Sequence, residues 1–214
     1  MEKTRFFKES FFDLTGCCFP EIFDGAEFVW EVLPKIAIYI KLQFQKGILI
    51  ANYKDKRDIF IGKGTIIQEG AVILGPAIIG KNCVIGHGSL VRENCLLGDF
   101  VHIGHAVEVK NSIFLNRAKA SHLSYIGDSL IGNDVNISGG AMLANFRFDK
   151  KPVTVRVNNE RINTNLQKFG AIIGDGSNIG VNAVLNPGTI LGKKTIVYPL
   201  TSVGGVHKDE EVIK

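Results

Sequence analysis

The sequence predicts an all-β solenoid, a β-helix of hexapeptide repeats, and two observations carry the prediction. The first is a period. Aliphatic residues recur at every sixth position in three arrays: Ile61, Ile67, Ile73, Ile79, Ile85, Val91, Leu97, Ile103, Val109 and Leu115; Ile131, Ile137 and Leu143; and Ile173, Ile179, Leu185, Leu191, Val197 and Val203. No helix has a period of six and a simple strand has a period of two, so the unit is a short strand plus a corner. The second is glycine, which follows the aliphatic residue at Gly62, Gly80, Gly86, Gly98, Gly104, Gly132, Gly174, Gly180, Gly192 and Gly204. A corner that recurs once per unit calls for residues tolerant of unusual φ. Three units close a triangular coil of 18 residues, and stacked coils pair at about 4.8 Å.

Residues 1–57 stand outside the repeat as a partly helical N-terminal segment, and residues 58–214 form the solenoid domain. In "FPEIFDGAEFVWEVLPKI", Phe28, Trp30, Val32 and Leu33 alternate with Glu27 and Glu31, which predicts a short amphipathic helix ending before Pro34. Its aromatics are expected to pack on the first coils. The most apolar stretch, "KIAIYIKLQFQ", is interrupted by Lys41 and Gln43 and falls short of the roughly 20 residues that span a bilayer. Between the second and third arrays, residues 144–169 leave the repeat. Alternating "VTVRV", then Asn158-Asn159, then another short run predict a hairpin extruded from the solenoid. Its Lys150 and Lys151 point to a functional excursion.

With hydrophobic residues at 45% and charged residues at 21%, the composition is that of a soluble globular protein. A net charge of +4 without any block of five basic residues argues against nucleic acid and suits phosphate-bearing ligands. Cys17, Cys18, Cys83 and Cys95 form no C-x-x-C pair, so reduced thiols in a cytoplasm are expected. "MEKTRFFKES" is charged and lacks the apolar run of a secretory signal. "GPAIIGKN" nearly spells a phosphate loop, yet ends in Asn82 where a hydroxyl is required. His87, His102, His105 and His122 lack metal-ligand spacing, so no metal site is expected and the first three are read as exposed corner or strand residues.

The period fails across "NRAKASHLSYIGD", residues 116–128. From Leu115 to Ile131 is 16 residues where three hexads need 18, so one coil is expected to be two residues short across "ASHLSYIGD" and to open a recess. Arg92 and Lys110 follow Val91 and Val109, 18 residues apart, and should stack. Two cations about 5 Å apart repel by about 1–3 kcal/mol, and a bound phosphate would reverse the sign. His122, 18 residues after Gly104, is expected on the same corner column.

The stretch "VEVKNSIFLNRAKASHLSYIGDSLIGNDVNISGGAMLANF", residues 107–146, closely resembles the acetyltransferase domain of bifunctional glucosamine-1-phosphate acetyltransferase and N-acetylglucosamine-1-phosphate uridyltransferase. The run K-A-x-H-L-x-Y-x-G-D is its most specific part, and the loop after "ANFRFDKK" is similar to the archaeal versions. The wider hexapeptide acyltransferase superfamily implies a left-handed β-helix and a homotrimer. The resemblance implies acetyl transfer from acetyl-CoA to the amine of glucosamine 1-phosphate, within UDP-N-acetylglucosamine synthesis and without a metal. Carried over, the catalytic base is His122, and the phosphate-binding cations are Arg92, Lys110 and Lys151. The sugar-contacting residues are Glu108, Tyr125, Asn136 and Asn145, with Glu108 orienting either His122 or the sugar. Gly139 supplies a backbone amide to the acetyl group, and Lys208 lies near the coenzyme phosphates. Phe146 stands where the bacterial family usually has tyrosine, which removes one sugar hydrogen bond. Residues 1–57 are too few for a nucleotidyltransferase domain. The expectations are therefore a stand-alone acetyltransferase, a non-catalytic sugar-phosphate-binding or regulatory subunit, or an acyltransferase for a different amino sugar.

Overall fold

A computed structural model describes residues 6–157 and 160–214; Asn158 and Asn159, the expected hairpin turn, lie outside the described residues. The described chain winds into a parallel β-solenoid with three faces of seven, eight and seven strands. The first face starts at Ile59–Ile61, the second at Ile66–Ile67 and the third at Val72–Ile73. Each strand pairs with its counterpart one coil on, so Ile61 meets Ile79, Ile67 meets Ile85 and Ile73 meets Val91. The repeating aliphatics thereby line one continuous buried shaft. A coil closes only a thin slice of that shaft, which is why coils are stable only as a stack.

The glycines after the aliphatic residues serve closeness rather than unusual φ. A Cβ on Gly62 would run into the backbone of Gly80 and Lys81 in the next coil. Left-handed φ falls two positions later, at Gly64 (+79°), Asn82 (+53°) and Phe100 (+60°).

The first face differs from the others because its outward residues are hydrophobic on every coil, Phe60 on the first and aliphatic residues after it. Ile78, Leu96, Ile113, Leu130, Ile172 and Ile190 are buried there under the N-terminal segment and the hairpin Thr154–Val157 and Glu160–Asn163. Trp30 stacks on Phe28 at 4.7 Å and lies 6.2 Å from Phe169 at the hairpin root. The aromatics therefore cover the length of one face instead of the first coils alone. The expected helix before Pro34 is also corrected. Val29–Lys35 is a 3-10 turn running through Pro34, and the regular helix is Ile36–Gln45 behind it. Proline has no N–H to donate, so it suits the approach to a helix and opens this one.

The missing residues are not where the repeat count puts them. Leu97 pairs with Phe114 and Phe114 with Ile131, while Ile103 pairs with Ala120 and Val109 with Ile126. The shaft column therefore passes through Phe114, and Leu115 joins the outer cluster. Phe114, Ala120 and Ile126 keep the six-residue beat across "ASHLSY". One residue is lost between Val109 and Phe114 and another between Ile126 and Ile131. Both losses fall where the chain turns from the third face to the first.

Candidate functional site

Three histidines stand in register where the second face turns into the third. His87 and His105 stack with centroids 5.6 Å apart and planes within 4°. Each Nδ1 meets a carbonyl one coil earlier, that of Glu69 at 2.6 Å and of His87 at 2.8 Å. His122 follows His105 in register, but its exposed ring makes no hydrogen bond to any described residue. The Ser124 hydroxyl (2.8 Å) and the Gly140 N–H (2.9 Å) both donate to the His122 carbonyl and fix its backbone. Gly139 lies against it, so close that a Cβ added there would stand 3.7 Å from the His122 Cβ and 4.0 Å from Cδ2. The Gly139 N–H makes no hydrogen bond among the described residues. An open imidazole and an open backbone donor thus share one corner.

The cations stand at the other end of the third face, where it turns into the first. Val91 pairs with Val109, and Lys110 pairs with Gly127, so Arg92 and Lys110 do follow one another up the stack. Their mutual repulsion is met by carboxylates within the chain. Arg92 Nη1 lies 2.9 Å from Glu108 and its Nε 3.4 Å from Glu93, while Lys110 Nζ lies 3.7 Å from Asp128. The hydrogen bond that Arg92 donates to Glu108 raises the Arg92 pKa. The two shortened corners set Asn111 and Asp128 at φ +44° and +50°, one above the other. The Asn111 amide donates to Asp128 Oδ1 at 2.9 Å. Asparagine and aspartate tolerate this backbone region better than other side chains do.

One expectation fails here: His122 is not on the column of Arg92 and Lys110, because it stands in register with His105 at the end of the second face, whereas Arg92 and Lys110 follow Val91 and Val109 at the end of the third. The strand Tyr125–Gly127 separates imidazole from cations. Glu108, read as orienting either His122 or the sugar, turns one carboxylate oxygen to Arg92 within the chain.

Tyr125 sits mid-face, in register with Glu108 and Met142. Asn145 marks the neck of the excursion, which closes through the Phe169 N–H on the Asn145 carbonyl at 2.9 Å. Its amide donates to the Tyr125 hydroxyl at 3.0 Å and to Asp128 at 2.6 Å. Three residues stand apart within the chain. Asn136 is on the second face between Lys119 and Asn178. Lys151 is exposed on the excursion, its N–H on Asp149 at 3.2 Å. Lys208 lies where the first face turns into the second on the last coil, beside Asp209 over Gly192. Asp128 carried no role in the sequence reading although it closes the specific motif. A buried acid ending K-A-x-H-L-x-Y-x-G-D was the available signal.

Among the described residues, no three of His, Cys, Asp or Glu converge to hold a metal, and no helix is long and apolar enough to cross a membrane. All four cysteines are free.

Residues 73–196 match a family model described as the GMPPB C-terminal domain. That stretch holds every candidate residue except Lys208. A bifunctional sugar-1-phosphate nucleotidylyltransferase/acetyltransferase of Sulfurisphaera tokodaii is 44% identical over 94 residues, 44% of this chain and 23% of its own. The bifunctional protein GlmU of Methanococcus vannielii is 41% identical over 90 residues, 42% of this chain and 22% of its own. The chain thus spans about a quarter of the length of these archaeal relatives. YaiX of Escherichia coli K12, described as an uncharacterised acetyltransferase, is 36% identical over 166 residues, 75% of this chain and 72% of YaiX.

Proposed function

The chain belongs to the family of the GMPPB C-terminal domain, and from that premise we propose that it moves an acetyl group from acetyl-CoA to the amine of an amino-sugar phosphate, with glucosamine 1-phosphate as the acceptor. The acetyltransferase names of its relatives support this reading. The observation that carries it is the imidazole of His122 beside Gly139, with neither the ring nor the Gly139 N–H bonded to any described residue.

The amine must lose a proton as it attacks the thioester. An imidazole, with an ordinary pKa near 6.5, accepts that proton at neutral pH. The C–N bond forms, the carbonyl oxygen becomes an anion, and in this reading the Gly139 N–H holds it. The C–S bond then breaks, and the imidazolium returns the proton to the departing thiolate. Arg92 and Lys110, with Lys151 from the excursion, hold the phosphate and fix the amine at the imidazole. In this reading the sugar lies over Tyr125 and Glu108, and the phosphate displaces carboxylates from the cations. Asn136 and Lys208 join the site from neighbouring subunits of a homotrimer, with the coenzyme along coils 173–203. Exposed Leu123 (61%), next to His122, and Leu200 (80%), three coils on at the same turn, support such contacts. The setting of this reaction is the cytoplasm.

A second reading, a sugar-phosphate-binding regulatory subunit without turnover, is favoured by the separation of His122 from the cations across the third face. One experiment decides between them: acetyl-CoA and glucosamine 1-phosphate are mixed with the protein and free thiol is followed. Release that falls by a factor of about 10² or more in His122→Ala, with assembly unchanged by light scattering, supports acetyl transfer. Binding of the sugar phosphate without release favours the regulatory subunit, and release only with another acceptor changes the substrate.

A further inference from the structure

We propose that Asp128 is a positioning residue: it fixes which end of the Asn145 amide faces outward and so makes the third face a reader of a sugar hydroxyl. The proposal rests on the reading of that face as the acceptor's floor.

Asp128 is almost fully buried, with 4% of its surface exposed. A carboxylate only accepts hydrogen bonds. Asn111 Nδ2 occupies Oδ1 at 2.9 Å, and Asn145 Nδ2 occupies Oδ2 at 2.6 Å, with Lys110 Nζ looser at 3.7 Å from the same oxygen. Because Asp128 accepts and cannot donate, Asn145 must turn its NH₂ inward. Both of its N–H groups are then used, one on Asp128 and one on the Tyr125 hydroxyl at 3.0 Å. Two groups are left over side by side. Asn145 Oδ1 has no partner among the described residues, and no buried side-chain polar atom is orphaned there, so this oxygen reaches solvent. The Tyr125 oxygen already accepts from Asn145, so its own hydrogen is free to donate. Burial pushes the phenol pKa up, opposed by the Asn145 hydrogen bond and reinforced by the charges of Asp128 and Glu108. The proton stays on the phenol at neutral pH.

The face therefore offers one acceptor and one donor together. A sugar hydroxyl satisfies both at once, donating to Asn145 and accepting from Tyr125. With the amide reversed, its carbonyl would take the Tyr125 hydrogen, and the outward acceptor and donor would exchange places. Asp128 stands at the shortened corner with φ +50°, within hydrogen-bond reach of Asn145.

The test is calorimetric binding and thiol release with glucosamine 1-phosphate and its 3-, 4- and 6-deoxy analogues, on the full chain and on Asp128→Asn. The variant keeps shape and tolerates the backbone, but its amide no longer dictates the direction of Asn145. In the wild type, one deoxy analogue is expected to bind about tenfold or more weakly than the parent. In D128N that ratio is expected to shrink to about threefold or less. Equal ratios in the two proteins, even with binding of every sugar weakened, would assign Asp128 a merely structural role and overturn the proposal. Analogue ratios that collapse without any thiol release uphold the proposal while removing acetyl transfer. No binding of the parent sugar by the wild type overturns both.

Discussion

Gly139 and His122 are neighbours on adjacent coils, spaced so that a Cβ added to Gly139 would make ordinary contact at 3.7 Å from the His122 Cβ. Gly104, at the same turn two coils before Gly139, is different: a Cβ there would overlap the carbonyl oxygen of Ser121. One glycine is therefore spare and the other is required by close stacking. Gly139→Ala is expected to leave the denaturation midpoint nearly unchanged. Gly104→Ala, which must push two coils apart, is expected to lose about 1–3 kcal/mol by denaturant titration. An unshifted midpoint in Gly104→Ala would contradict the stacking of these coils.

The two cations at the third-to-first turn separate by burial. Lys110 and Asp128 expose 15% and 6% of their side chains, whereas Arg92 and Glu108 expose 34% and 36%. Lys110→Met removes the cation nearest a buried carboxylate that still keeps two amide donors. The expected loss is about 1–3 kcal/mol of stability. Arg92→Met breaks a half-solvated pair and is expected to cost less than about 1 kcal/mol. Both substitutions should weaken binding of the sugar phosphate by about tenfold or more. Equal stability of the two variants in urea would show that Asp128 does not depend on Lys110.

The fold was legible because one column of aliphatics per face is a signal no other architecture produces. Ile61, Ile79 and Leu97 kept strict spacing, and the structure pairs them as counted. The count misled only where a second aliphatic stood beside the true one. Leu115 lies one residue past Phe114, and an aromatic in a shaft of Ile, Leu and Val does not announce itself as the inward residue. That single slip moved the shortage onto the histidine turn, and His122 was joined to the wrong column because the corner after Ile103 belongs to the second face, not to the third with Val91 and Val109. The site's residue types were legible from their motif, but their pairings were not. Glu108 with Arg92 and Asn145 with Asp128 are relations between coils, which sequence separation alone hides.

Acid should weaken this fold in part through His102. Burial lowers its pKa below the ordinary 6.5, with the charges of Lys119 and His122 adding to the effect. A depressed imidazole binds fewer protons folded than unfolded, so its stability contribution is complete above the ordinary value and is lost as pH falls through the folded one. Melting temperatures of the wild type and His102→Gln are expected to run parallel above about pH 7 and to diverge below it, the wild type falling faster. Curves that stay parallel down to about pH 5 would remove His102 from the acid response.

Phe114 and Leu115 are neighbours with different duties, and their truncation separates the shaft from its covering. Phe114 is fully buried in the shaft, on the same coil as the small residues Ala118 and Ala120. Its walls are strands pinned by backbone ladders on both sides, so Phe114→Ala leaves a cavity that cannot collapse. The expected loss is about 3–5 kcal/mol. Leu115 faces the outer cluster, where the N-terminal segment lies over it without ladder bonds to hold its distance. That cover settles into the space, so Leu115→Ala is expected to lose only about 2–3 kcal/mol, the lower end for a buried leucine. Chemical denaturation of the two variants reads the difference directly. A larger loss in Leu115→Ala would return the repeat to the register in which Leu115 is the inward residue.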